Sequence, residues 1–406
     1  NAIIFRMKND YDAVIVGAGP GGSSAAYYLA SKGCRVLLVE KEIFPREKVC
    51  GDGITPRAVH SLEVMGVEGE LAGRFKRTKG IRFYATRAGI TEVRYPMGSS
   101  FPDHGYVVPR RELDAVLLRR AQEVGVEVWE GCRVVDLLPW KDGHVPGVVT
   151  EKEGERLEVS ASYIVGADGS SSLVGRRLGL LRHDPRYMGV SVRCYLQGAQ
   201  GLSDFLEIYP EDAVLPACGW IFPLDRETAN VGVGFMLSAR ERRKMNLNRV
   251  LESFCTRTRY AAEKLGGARP LGKPRGALLR VGMGGAVPLR ANVVLVGDAA
   301  SLTNPVSGEG ITYALESGRW AAETISSALR RGDPGTLALY PRILERYYGR
   351  YFRLGALAIR CGNTPGFINP LLFATSRLPR LGDKMGRFLM NCRREEYPPG
   401  AVTFSE

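Results

Sequence analysis

Three glycines, Gly17, Gly19 and Gly22, restrict what this chain can fold into more than any other feature. They follow residues 11–17 (YDAVIVG), a β-branched apolar run of the length of a buried strand. They open residues 21–32 (GGSSAAYYLASK), a small-residue helical stretch that Gly33 ends. Residues 35–40 (RVLLVE) supply a second buried strand. In such a βαβ opening Gly17 permits the tight turn, Gly19 lets backbone approach a pyrophosphate, and Gly22 lets the helix pack closely on the strand. The pyrophosphate then meets the free N–H groups and positive dipole end of the helix. Glu40 ends the second strand with a carboxylate suited to ribose hydroxyls and repulsive to a 2′-phosphate. Glycine clusters also make ordinary turns, but here strand, loop, helix, strand and terminal acid agree. Lys41, next to Glu40, is grouped with the cofactor side.

The rest of the chain alternates in class. Residues 80–95 read as a β-hairpin. Residues 110–125 read as a helix with Leu113, Val116, Leu117 and Ala121 on one face. Residues 126–129, 133–137 and 163–168 read as strands. Residues 189–196, 205–209, 219–224 and 230–236 are short β-rich runs that suggest an antiparallel sheet. Residues 237–265 turn helical and basic, residues 293–298 (VVLVGD) return to a buried strand, and a helix follows over 310–329. The expected fold is α/β: a discontinuous Rossmann-type domain (residues 7–75, 105–185 and 275–335), an antiparallel substrate sheet (76–104 and 186–274), and a helical C-terminal region (336–406).

Further motifs make a family visible. Residues 166–170 (GADGS), with Asp168, resemble the DG motif of flavoprotein monooxygenase-like folds. Residues 297–300 (GDAA) resemble their GD motif, which implies that Gly297 and Asp298 bind the ribityl chain of FAD. Residues 304–311 (NPVSGEGI) resemble the loop and helix start beside the isoalloxazine, which implies roles there for Gly308, Glu309, Gly310 and Ile311. Arg110 matches the arginine that opens a helix on the flavin side. Residues 48–53 (KVCGDG), 215–223 (LPACGWIFP) and 230–234 (NVGVG) then resemble the geranylgeranyl reductase family, with residues 50–57 and the Trp220 stretch most similar to actinobacterial menaquinone-type reductases. The resemblance spans about residues 10–329. It implies hydride transfer from reduced flavin to an isolated C=C bond of a polyprenyl chain, with NAD(P)H or a small redox protein as electron donor. It places Cys50 and Gly51 by the flavin, and Cys218, Trp220 and Phe222 by the substrate. The family usually carries a tyrosine two residues before its tryptophan; Cys218 stands there instead.

Each residue also has a plainer reading. Asp298 caps the next helix as well as it binds a ribityl chain. Asp168 is an ordinary acid of a strand-end turn. Gly308, Glu309 and Gly310 form either a glycine-rich helix entry or a set of N–H groups for a reduced flavin. Cys50 is a proton donor or electron shuttle, its pKa lowered by Lys48, or a small packed thiol. Trp220 and Phe222 line a tunnel or fill a sheet core. The flavin motifs serve a monooxygenase as well as a reductase; a flavin halogenase or a flavin-bearing electron carrier also remains open.

Composition adds limits. Net charge is +13, which suits an anionic cofactor, substrate or membrane surface. Nucleic acid comes last, because no DNA- or RNA-binding motif is visible. The eight cysteines are scattered without zinc spacing, which favours a reducing, cytoplasmic setting and no metal. Gly282, Gly284 and Gly285 lead to Val287 and Pro288, not to a helix, so a second dinucleotide unit is not expected. Arg342, Arg346, Arg350 and Arg353 beside Leu339, Ile343, Leu344, Tyr347, Tyr348, Tyr351 and Phe352 form a basic amphipathic helix. It suits a peripheral membrane contact, or packing with wet arginines.

Overall fold

The computed structural model describes residues 4–98, 100–211, 214, 217–236, 246–362 and 365–392. The chain forms two compact units, Asn1–Lys48 with Arg110–Gly189 and Leu278–Ala356, and Val49–Pro109 with Val190–Ala277 and Leu357–Glu406. The expected segments 1–3, 237–245 and 393–406 and residues 215 and 216 lie outside the described residues.

The first unit is built on a parallel sheet. Its strands run in the order Val293–Leu295, Glu155–Gly166, Ile4–Val16, Val36–Val39 and Glu127–Trp129, with Leu289–Arg290 antiparallel at one edge. Both faces are covered, so Val14, Ile15, Leu37, Leu38, Ile164 and Val165 are fully buried and the runs show no alternation. Gly147–Lys152 adds an antiparallel hairpin to Glu155–Gly166 and then pairs with Arg133–Leu137. The charged residues of 151–158 hide that hairpin from a search for apolar runs.

Two helices lock the glycine loop onto this sheet. Helix Pro20–Ala30 crosses helix Ile311–Arg331 so closely that a Cβ on Gly318 would stand 2.3 Å from the Gly21 carbonyl oxygen. The Ser24 hydroxyl donates to the Leu315 carbonyl at 2.7 Å in the same crossing. The basic amphipathic stretch packs inward. Tyr340, Ile343, Leu344, Tyr348, Tyr351 and Phe352 are all buried. Tyr348 and Phe352 meet Tyr313 at centroid distances of 4.9 and 5.0 Å, and Tyr347 stacks on Trp320 at 5.2 Å. The apolar face offered for a membrane is therefore core, and residues 336–356 belong with the first unit.

The second unit carries a sheet of strands Arg269–Pro270, Met188–Gln197, Thr228–Met236, Cys218–Pro223, Leu206–Tyr209, Gly80–Ala85 and Gly89–Arg94 in that order. Cys218–Pro223 runs antiparallel to Thr228–Met236 and to Leu206–Tyr209, Gly80–Ala85 to Gly89–Arg94 and Met188–Gln197 to Arg269–Pro270, whereas Leu206–Tyr209 and Gly80–Ala85 run parallel. One face packs on helices Leu247–Arg257 and Arg259–Leu265 through Ile221, Val231, Val233 and Phe254. Glu207 lies buried in this layer, held by Lys264 Nζ at 2.7 Å and the Tyr209 hydroxyl at 2.6 Å. Residues 49–75, expected with the dinucleotide domain, cluster with this unit. The reason is a three-stranded sheet in which Gly105–Val107 pairs with both Gly53–Ile54 and Lys76–Thr78.

The helix crossing yields the first prediction. Gly318→Ala pushes a methyl against Gly21 backbone that cannot rotate away, and costs about 1–3 kcal/mol. A thermal melt of the flavin-free protein reads the loss; an unchanged melting temperature contradicts the close crossing.

Candidate functional site

In the first unit, steric constraint builds the loop of residues 17–22. Gly17 sits at φ +100°, and a Cβ there would meet the Ala167 carbonyl at 2.7 Å. A Cβ on Gly22 would stand 1.8 Å from the Gly17 oxygen, so nothing larger than hydrogen fits. Glu40 holds the loop from the second strand: its Oε2 accepts from the Ala18 N–H at 2.8 Å and its Oε1 from the Glu42 N–H at 3.1 Å. Each oxygen has a further lone pair for a hydroxyl donor. Lys41 is exposed and pairs with Glu42 at 3.9 Å.

Charge gathers over the loop. A Cβ on Gly19 would lie 3.9 Å from the guanidinium nitrogens of both Arg110 and Arg46. Asp114, fully buried, orients both: it takes Arg110 in a two-pronged pair at 2.7 and 2.7 Å and Arg46 at 2.8 Å. Arg46 and Asp114 escaped the sequence reading, although Arg110 and Asp114 stand at i and i+4 on a helix and that spacing was a legible signal. Lys48 Nζ lies 3.8 Å from the Cβ position of Gly169. Lys48 keeps an exposed side chain, yet desolvation by the protein around its ammonium holds its pKa below the ordinary value; Arg110 and Arg46 add to that, while Asp298 and Asp114 oppose it.

The remaining first-unit residues cluster at two turns. Asp168 Oδ2 accepts from the Leu173 and Val174 N–H groups at 2.6 and 3.2 Å, and adds to the Ser172 hydroxyl that caps the short helix Leu173–Arg177. Its Oδ1 is buried without a hydrogen-bond partner among the described residues, and burial pushes its carboxyl above the usual range against those cap bonds. Gly297 sits at φ +55°, with its N–H on the Ser317 hydroxyl at 3.0 Å. Asp298 takes the Thr303 hydroxyl at 2.8 Å and lies 3.4 Å from the Cβ position of Gly310. Asn304 closes the loop ahead of Gly310. Its N–H donates to the Glu309 carbonyl, its carbonyl accepts from Gly308, and its amide reaches the Tyr313 and Tyr351 hydroxyls. The Glu309 carboxylate is taken up by the Thr312 hydroxyl. Helix Ile311–Arg331 begins at Gly310 with no side-chain cap and no acid in its first turn, an arrangement open to negative charge.

These features fit FAD. The backbone cradle at Gly19, the paired guanidiniums and the uncapped helix start suit a pyrophosphate and an anionic ring edge, and the bare Asp168 oxygen suits a hydroxyl donor.

In the second unit, alternation along Cys218–Pro223 buries Gly219, Ile221 and Pro223 and leaves Cys218, Trp220 and Phe222 half-buried on the other face. The Trp220 indole lies over two glycines of the neighbouring strand: Cβ atoms on Gly232 and Gly234 would stand 2.2 and 3.4 Å from its ring. Phe222 stands beside it, centroids 6.3 Å apart. The loop of residues 50–53 covers them, with the Gly51 Cβ position 3.0 Å from the Phe222 ring and 3.5 Å from Trp220 Nε1. Cys50 and Cys218 are both free thiols. Cys50 Sγ accepts from the Asp52 N–H at 3.3 Å. Cys218 keeps some surface, yet enough protein surrounds its sulfur that desolvation pushes its pKa up to about 12.

Comparison with known proteins decides the family. Residues 10–217 match the FAD binding domain model. The menaquinone reductase of Mycolicibacterium smegmatis is 37% identical over 354 residues, 85% of this chain and 83% of that one. The digeranylgeranylglycerophospholipid reductase of Methanothrix thermoacetophila is 31% identical over 81% of both chains. The chain belongs to the geranylgeranyl reductase family of FAD-dependent oxidoreductases. The crystal structure of a geranylgeranyl bacteriochlorophyll reductase-like protein from Thermoplasma acidophilum shares the fold, with a TM-score of 0.81 at 22% identity and coverage of 95% and 96%. FAD is accordingly the cofactor, and the chemistry is FAD-dependent reduction of isoprenoid substrates.

Two outcomes test the cradle. Asp114→Asn removes the carboxylate that holds two guanidiniums over Gly19. FAD affinity then falls about tenfold or more, ~1.4 kcal/mol, as read by quenching of flavin fluorescence. Lys48 gives a pH signature. Its pKa is lowered in the free protein, and an incoming pyrophosphate raises it, so FAD binding takes up a proton on the alkaline side. Affinity drops as pH rises through the Lys48 pKa, and Lys48→Met flattens that slope. Calorimetry in two buffers of different ionisation enthalpy measures the proton directly.

Proposed function

We propose that this reductase saturates a C=C bond in the isoprenoid tail of a quinone-type lipid. The half-buried face formed by Cys218, Trp220 and Phe222 carries the reading. Trp220, over Gly232 and Gly234, and Phe222, under the 50–53 loop, stay half-buried; the apolar surface they still expose is worth about 25 cal/mol per Å² when covered, and an apolar chain laid along it recovers that. The names of the relatives agree in class: menaquinone reductase and digeranylgeranylglycerophospholipid reductase.

Bound FAD supplies the hydride, with NAD(P)H or a small redox protein as the source of electrons. An isolated alkene is a weak electrophile, so the aromatic wall must hold it in place and keep water away. The second alkene carbon takes a proton from the Cys50 thiol, leaving a thiolate that water reprotonates. The Asp52 N–H, aimed at Cys50 Sγ, stabilises the negative sulfur as it forms.

The substrate is delivered from a membrane surface. Among the described residues no helix is long and apolar enough to cross a bilayer. On helices Pro365–Arg377 and Pro379–Leu389 and the turn that joins them, Leu371, Phe373 and Leu378 are exposed, and Arg377 lies over the Phe373 ring at 5.4 Å. Exposed apolar side chains beside Arg377, Arg380 and Lys384 suit an anionic lipid interface.

Anaerobic incubation of the reduced enzyme with a panel of polyprenyl quinones tests the reading by mass spectrometry. The expected product gains pairs of hydrogens; a product that forms only in air and gains oxygen sinks it. Cys50→Ala lowers kcat about 100-fold while the flavin stays bound. Replacing Leu371, Phe373 and Leu378 together by Ser abolishes co-sedimentation with anionic vesicles.

A further inference from the structure

The half-buried face of the substrate sheet hides a polar network. Asp52 is fully buried and sits at φ +65°, a conformation that costs a non-glycine residue about 1 kcal/mol or more. Its Oδ2 accepts from the Tyr195 hydroxyl at 2.6 Å and from Asn230 Nδ2 at 2.7 Å. The same Asn230 amide donates to the Cys50 carbonyl at 2.8 Å. Asn230 Oδ1 accepts from the Trp220 indole N–H at 3.0 Å. The Asp52 backbone closes the circuit at Cys50 Sγ, and its carbonyl is fixed by the Val108 N–H at 2.9 Å. Arg193, itself buried, stands over the Tyr195 ring at 4.0 Å.

Asn230 lies opposite Phe222 in the register of the sheet and is fully buried. It therefore serves two partners that never touch the same atom: the indole through its oxygen, the Cys50 loop through its nitrogen. We propose that Asp52, Tyr195 and Asn230 are positioning residues that bind the Trp220 ring and the Cys50 loop into one mechanical piece. The aromatic wall and the thiol then keep a fixed spacing whatever chain lies between them. Two features argue against mere packing. A buried carboxylate and amide are expensive unless every bond is made, and an apolar pair would fill the same space. The strained Asp52 backbone also persists because its side chain is held on two sides.

The inference rests on the reductase reading for its purpose but not for its test. The full-length flavoprotein is treated with iodoacetamide across a pH series, and alkylation of Cys50 is followed by peptide mass spectrometry, without substrate. Trp220→Phe removes the indole donor and changes the Cys50 alkylation rate several-fold. In an Asn230→Ala background the same Trp220→Phe change has no further effect, because the link is already cut; Tyr195→Phe loosens it partially and shifts the pH profile. Additive effects in this double-mutant cycle overturn the proposal. So does an unaltered alkylation profile in Trp220→Phe and in Tyr195→Phe, which retains its ring and carries the test if Asn230→Ala does not fold. Coupled alkylation without reduction of any polyprenyl substrate leaves the linkage standing and removes the reductase reading; additive alkylation with intact reduction does the reverse.

Discussion

The first unit hangs on the contact between Gly22 and the Gly17 carbonyl. A Cβ at Gly22 would sit 1.8 Å from that oxygen. Because it does not, helix Pro20–Ala30 starts directly against the end of the first strand. Gly19 is the N-cap of that helix, so its N-terminal N–H groups lie within the loop. The rest follows from that seat. Helix Ile311–Arg331 approaches Gly21 through Gly318, and the turn carrying Gly297 and Asp298 is carried along by the Ser317 bond. Chain segments nearly 300 residues apart are thereby packed against each other by the size of a hydrogen atom.

Electrostatics then do what sterics cannot. Two guanidiniums this close repel unless a counter-charge lies behind them. Asp114 provides it from a fully buried position. A carboxylate removed from water and shared between two arginines is costly on its own and stable only in such a set. The arrangement leaves net positive charge facing the glycine loop, which is what an anionic cofactor needs. Lys48 shows the other side of that balance: held among two arginines and two aspartates, its ammonium is penalised until an anion arrives.

Much of this was legible in the sequence, and the division between legible and hidden is physical. The glycine loop, Glu40, Asp298 and Gly310 announce themselves because their constraints are local: strand, turn and helix start lie within a few residues. The hairpin at 147–166 did not, because its charged half-exposed strand lacks an apolar pattern. The basic stretch at 339–353 is legible as amphipathic, but amphipathicity does not say what covers the apolar side; Tyr313 and Trp320 do, and they come from another helix. Tyr195 was beyond reach for the same reason. Its role depends on Asp52, 143 positions earlier in the chain. Asn230 and Asp52 both fall within quoted motifs, yet there the glycines beside them drew the attention. In the structure those glycines make room, for the Trp220 ring at Gly232 and for the Phe222 ring at Gly51.

Under the proposed function, the cysteine at position 218 changes what the face it shares with Trp220 and Phe222 can do. Desolvation pushes this thiol up to about 12, and as a weak S–H donor it lacks the hydrogen bond of a phenol. Polar function on this face must then come from behind the rings rather than from beside them. Asn230, on the same sheet face as Phe222, works there with Asp52 and Tyr195, holding the indole N–H and the Cys50 loop through buried hydrogen bonds. A wall that is apolar to the touch and polar in its anchoring can hold a long hydrocarbon in register without a hydrogen bond to it.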